Sequence, residues 1–149
     1  MNIEGLGGLL AFVLGWFLAQ SGKLIGDVIA HGRALSFREF IDCFTRSGGM
    51  PSGHTASFVA LTTYFIAKNG IFANISVLAI ATTIIVIYDA VNVRYAVGEQ
   101  GKMINIMSEE RKSTRGRKLR VVEGHTVPQV IIGGILGLLV GLLASFAIQ

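Results

Sequence analysis

Residues 127–148 contain no charged side chain. A run of that kind is long enough to cross the hydrocarbon of a bilayer once as an α-helix, which takes about 20 apolar residues. Lipid offers no partners to backbone N–H and C=O groups, so a spanning segment must satisfy them within itself. Three more apolar stretches repeat the pattern: residues 5–19, with Gln20 and Ser21 at their end; residues 52–67, closed by Lys68, Asn69 and Gly70; and residues 71 to 88. Charge is scarce to match. Asp, Glu, Lys and Arg make up 15% of the chain, against about 25% in a soluble domain. The hydrophobic share is 52%, and the mean hydropathy is +0.62. The expected architecture is an all-α polytopic membrane bundle, a single domain over residues 1–149. It has about four transmembrane helices plus an interfacial or re-entrant helix. A signal peptide fits the first stretch poorly, because Glu4 is the only early charge and a basic leader is missing.

Small residues mark the faces expected to pack. Gly5, Gly7, Gly8 and Gly15 in the first stretch, and Gly133, Gly134, Gly137 and Gly141 in the last, allow close approach of helices in lipid. The first helix is expected to continue past the membrane edge through Lys23, Ile25, Val28 and Ile29. Residues 31–50 mix His31, Arg33, Arg38, Glu39, Asp42 and Arg46 with Phe37, Phe40, Ile41 and Phe44. That mixture suits a short amphipathic helix at the interface, or a re-entrant segment. A polar cytoplasmic loop is expected over about residues 102–123, with Glu99 and Gln100 capping or bridging its start. Its run from Arg111 to Arg120 suits a solvated basic surface facing anionic lipid. Cys43 is the single cysteine, so no internal disulfide can form.

Charge then orients the bundle. With residues 23–54 and 94–125 on one side, twelve of the thirteen Lys and Arg residues lie there and only Lys68 lies opposite. The positive-inside rule assigns that side to the cytoplasm and puts both termini outside. The net charge of +4 is accordingly assigned to a membrane surface and not to nucleic acid.

The same arrangement gathers four polar clusters on one face: residues 20–23, 52–54, 89–94 and 124–129. Ser52 is a candidate N-cap. The helix N-terminus it caps favours phosphate, and Gly53 lets backbone approach an anion closely. His54 follows, able to give or take a proton near neutral pH. Taken alone, this is equally an ordinary helix cap with a surface histidine. Joined to His125 and the cations, it holds the parts of a phosphoryl-transfer site. One histidine attacks phosphorus, the other protonates the leaving oxygen, and cations stabilise charge on the equatorial oxygens. Neither metal nor cofactor is required. A zinc site from His31, His54, His125 and Asp89 lacks any short ligand spacing.

Three motifs in order resemble the divergent branch of the type 2 phosphatidic acid phosphatases, membrane relatives of the acid phosphatases and vanadium-dependent haloperoxidases. They are Gly48-Gly49-Met50-Pro51-Ser52-Gly53-His54; Tyr88-Asp89-Ala90 with Val93-Arg94 and Gly98-Glu99-Gln100; and Gly124-His125-Thr126 with Pro128. The resemblance runs from Gln20 to the last apolar stretch. It implies hydrolysis of a lipid phosphate through a phosphohistidine, with His125 as nucleophile, His54 as general acid, and Ser52 and Gly53 at the phosphate. Lys23, Arg94 and Arg120 are the matching phosphate cations. Lys23 lacks the family's following Arg-Pro, and the family's arginine six residues before the nucleophile falls on Leu119, beside Arg120. The family's aspartate four residues after the nucleophile is Gln129 here. Asp89 is expected either to replace it or to form an ion pair with Arg94 or Lys23. The substrates implied are phosphatidic acid, phosphatidylglycerophosphate or a polyprenyl diphosphate. A bundle with fewer spans than the main superfamily leaves room for a homodimer. The rival is a catalytically inactive membrane protein that binds or moves anionic phospholipid head groups. Paired histidines favour the enzyme; Gln129 favours the rival.

Overall fold

A computed structural model describes residues 3–32, 36–37, 39–41, 48–110, 121 and 124–148. Among them every regular element is helical. Helix α1 spans Ile3–His31, α2 Gly53–Asn69, α3 Asn74–Tyr88, α4 Arg94–Glu110 and α5 Val127–Ala147. A π-helical turn, Asp89–Val93, joins α3 to α4 without a break. Among the described residues, three helical stretches are long and apolar enough to cross a membrane: Glu4–Ala30, Asn74–Glu109 and Val127–Ala147. The fourth expected crossing, α2, has 17 residues. That is about 25 Å of helix against about 30 Å of hydrocarbon.

Helix α2 is nonetheless the element the others pack around, touching α1, α3 and α5. Its Ala56, Ala60 and Tyr64 are fully buried. On α5, glycines 133, 137 and 141 recur every fourth residue and so share one face. A Cβ added at these glycines would lie 2.6, 2.5 and 2.5 Å from the carbonyl oxygens of Ser52, Ala56 and Ala60. Both numberings rise together, so α5 runs parallel to α2. Helix α1 runs the other way. Gly7 meets Tyr64, Gly15 would put a Cβ 2.8 Å from Ala56 O, and Gly22 one 3.2 Å from Pro51 Cδ. Helix α3 is antiparallel as well, with Thr83 Oγ1 2.8 Å from Thr62 Oγ1. Thr83 Oγ1 also donates to Phe58 O at 3.2 Å. Lipid chains are as apolar as leucine, so this backbone-close packing and the buried hydroxyl pair carry the association. The large side chains Leu9, Leu78, Ile85, Leu139 and Leu143 face outward.

These directions bring the C-terminal ends of α1 and α3 and the N-terminal ends of α2 and α5 to one end of the bundle. One boundary differs from expectation. The polar loop does not begin near residue 102, because α4 runs to Glu110. Gly98 and Gly101 lie inside that helix, where Lys102 Nζ donates to Glu99 Oε1 at 2.9 Å. Glu99 and Gln100 are therefore helical residues, not loop caps. Helix α1, with 29 residues or about 44 Å, is longer than the roughly 30 Å of a bilayer core. Within the expected interfacial segment, Ser36 and Glu39 cap a helical turn reciprocally. Phe37, Phe40 and Ile41 on that turn are exposed. Arg33, Arg38, Asp42, Cys43, Phe44 and Arg46 lie outside the described residues, as do residues 111–120.

Candidate functional site

The turn leading into α2 depends on two glycines. Gly48 (φ 105°) and Gly49 (φ 79°) adopt left-handed backbone that other residues resist. Ser52 then caps the helix. Its Oγ accepts from Thr55 N at 3.4 Å and from Thr55 Oγ1 at 3.0 Å. Its own N–H donates to Gln129 O at 3.1 Å, tying α2 to α5. The side chain is wholly buried, and both of these contacts use its oxygen as the acceptor. Gly53 is buried too, with Trp16 Cδ1 3.6 Å and Gln20 Cδ 4.0 Å from where a Cβ would stand. His54 is the next side chain, and it is exposed.

His125 is held from three sides. Gly124 lies so close to the backbone of Arg94 and Tyr95 that a Cβ there would collide with both. His125 N donates to Ala90 O in the π turn at 3.1 Å; such turns inside α-helices are frequent at functional sites. The imidazole is 3% exposed. Its Nδ1 lies 3.3 Å from Gln129 Oε1. That oxygen also accepts from Thr126 N at 3.0 Å, as part of a capping box at the start of α5. A backbone N–H can only donate, so the amide atom facing it must be the oxygen. The proton between Gln129 and His125 therefore sits on Nδ1, and Nε2 keeps its lone pair. Burial pushes His125 below the ordinary imidazole value of 6.5, and the positive charges of Lys23, His54 and Arg94 push it further. The Gln129 hydrogen bond pulls the other way.

The two imidazoles lie with ring centroids 6.4 Å apart and planes tilted by 59°. Lys23 is buried and acts electrostatically on both rings, as does Arg94. Arg94 Nε donates to Asp89 Oδ2 at 2.6 Å, across the π turn. Asp89 thus forms the ion pair that was its alternative role. It does not take over the aspartate's place on His125, because Gln129 already occupies Nδ1. Lys23, Gly53, His54, Asp89, Arg94 and His125 come together at one end of the bundle. Arg120 lies outside the described residues. The double role of Gln129 was signalled by the spacing Thr126-x-x-Gln129, a capping-box pattern. The Ala90 carbonyl carried no signal in its side chain.

A sequence model described as the divergent PAP2 family matches residues 7–140. The chain is 28% identical over 116 residues to "Uncharacterized membrane protein YuiD" of Bacillus subtilis (strain 168), covering 68% of this chain and 73% of that protein. No solved structure matches.

Proposed function

Because this chain belongs to the divergent PAP2 family, we propose that it is a membrane phosphatase acting on a phosphate monoester or diphosphate of a lipid. The observation that carries the reading is the pair of imidazoles 6.4 Å apart. Rings at that separation can both reach one phosphoryl group, one imidazole at phosphorus and the other at the leaving oxygen. His125 Nε2 attacks, the N–P bond forms as the P–O bond to the lipid breaks, and His54 gives its proton to the departing oxygen. Water then enters on the His54 side, His54 takes its proton, and phosphate leaves His125 unchanged. Lys23 and Arg94 offset charge on the equatorial oxygens. Gln129 keeps His125 in the attacking tautomer but supplies no negative charge to the imidazolium-like intermediate. The basic segments argue that the site faces the cytoplasm, with both ends of the chain outside.

The rival reading, a non-catalytic binder of anionic head groups, draws support from the same Gln129, from the buried Ser52 hydroxyl and from Arg94 being paired with Asp89. Phosphate release from phosphatidic acid, phosphatidylglycerophosphate and polyprenyl diphosphate in mixed micelles separates them. Wild type is expected to release phosphate from at least one. His54→Ala is expected to slow release by about 10²–10⁴-fold, and His125→Ala to abolish it. Equal background from all three proteins, with lipid binding retained, selects the rival.

A further inference from the structure

The two histidines open on different cavities. His125 lines a pocket of about 240 Å³ with Val91, Tyr95, Thr126 and Val127. His54 lines a groove of about 460 Å³ between α1 and α2, walled by Phe12, Val13, Trp16, Ser57 and Phe58. No residue is common to both. The groove wall is apolar except for Ser57 and His54, and the Ser57 hydroxyl is spent on Gly53 O at 2.9 Å. Phe12 and Phe58 meet edge to face, with centroids 5.2 Å apart. Val13 and Trp16 remain exposed beside Leu9 and Phe17 on the outer face of α1. That face belongs to a membrane-crossing helix, so the groove opens toward lipid chains. Its volume falls within the ~300–1,000 Å³ of small-molecule sites.

Phosphoryl transfer places the attacking and leaving atoms roughly in line through phosphorus. With His125 attacking from one side, the leaving oxygen stands on the other, beside His54. In a lipid phosphate, that oxygen carries the hydrocarbon. We propose that the α1–α2 groove seats the hydrocarbon tail of the substrate lipid, with the scissile P–O bond at its His54 end. This rests on the hydrolase reading above. The lipid alcohol formed when His54 gives up its proton is then already lodged among apolar side chains, next to the bilayer it returns to. Phe12, Val13, Trp16 and Phe58 become residues that select the tail, while Lys23 and Arg94 hold the phosphate whatever the tail is.

Two measurements test this on the whole protein in lipid bicelles. Phosphatidic acid carrying a mid-chain diazirine is photolysed with wild type, and the labelled peptides are mapped. Label is expected on residues 12–16 and 57–58, displaced by unlabelled phosphatidic acid and not by phosphatidylcholine. Val13→Trp, which fills the groove away from the reacting atoms, is expected to lower kcat/KM for dioleoyl phosphatidic acid at least tenfold. The four-carbon-chain analogue is expected to change less than twofold. Displaceable label confined to other helices, no label at all, or a Val13→Trp effect that ignores chain length would overturn the tail site. Displaceable label in the groove without any hydrolysis would instead sink the enzymatic reading and leave the tail site standing.

Discussion

Gln129 uses one oxygen twice, accepting from Thr126 N at 3.0 Å and facing His125 Nδ1 at 3.3 Å. An aspartate in that place would bring charge as well as an acceptor, and would favour the imidazolium. The neutral amide orients the ring and leaves the balance to burial and to the cations around it. His125 is therefore expected to titrate below 6.5, as read by NMR of isotope-labelled imidazole in micelles. The sign follows from linkage: folded His125 binds its proton less tightly than unfolded His125. Its contribution to stability is present above pH 6.5 and is lost as pH falls through the folded value. Gln129→Leu removes the one interaction that raises the value, so its midpoint is expected to drop further. A midpoint that rises in that variant contradicts the assigned hydrogen bond.

At the scale of elements, the glycine row of α5 sets the distance to α2. A Cβ at Gly137 would stand 2.5 Å from Ala56 O and 2.9 Å from Val59 Cβ. Gly137→Val is expected to destabilise by about 1–3 kcal/mol through overpacking, measured by unfolding in SDS mixed micelles. Gly134, three residues earlier, would place its Cβ 3.9 Å from Thr55 Cγ2. Gly134→Ala is expected to be neutral, or stabilising by up to about 1 kcal/mol from helix propensity. Both rows of glycines were legible in the sequence because small residues at helical spacing have one main use in lipid. The meeting of His54 with His125 was legible from hydropathy and charge, which fix helix directions and hence which ends coincide. The π turn was not, since one extra residue in a helix leaves no mark on an apolar run. The loop start expected at Glu99 and Gln100 is helix instead, because the continuation of α3 overrides local polarity and the flanking Gly98 and Gly101. Ser52 was legible as a cap, but its full burial depends on Gly133, eighty-one positions away in the chain.

At the scale of the whole molecule, the bundle has two unlike ends. The histidine end joins α1, α2, α3 and α5, and Gly70 with the turn after α2 lies at the other. Cysteine labelling in intact cells tests the proposed sidedness. In a Cys43→Ser background, Asn69→Cys is expected to react with an impermeant maleimide from outside, and Gln100→Cys only after lysis. The reverse pattern would turn the site to the exterior. The continuous helical stretch Asn74–Glu109 has 36 residues, about 54 Å against a hydrocarbon layer of about 30 Å. The surplus lies on the histidine side, and its base is the turn whose Ala90 carbonyl holds the backbone of His125. The hydrogen bond that fixes His125 and the surplus helix thus belong to one continuous element.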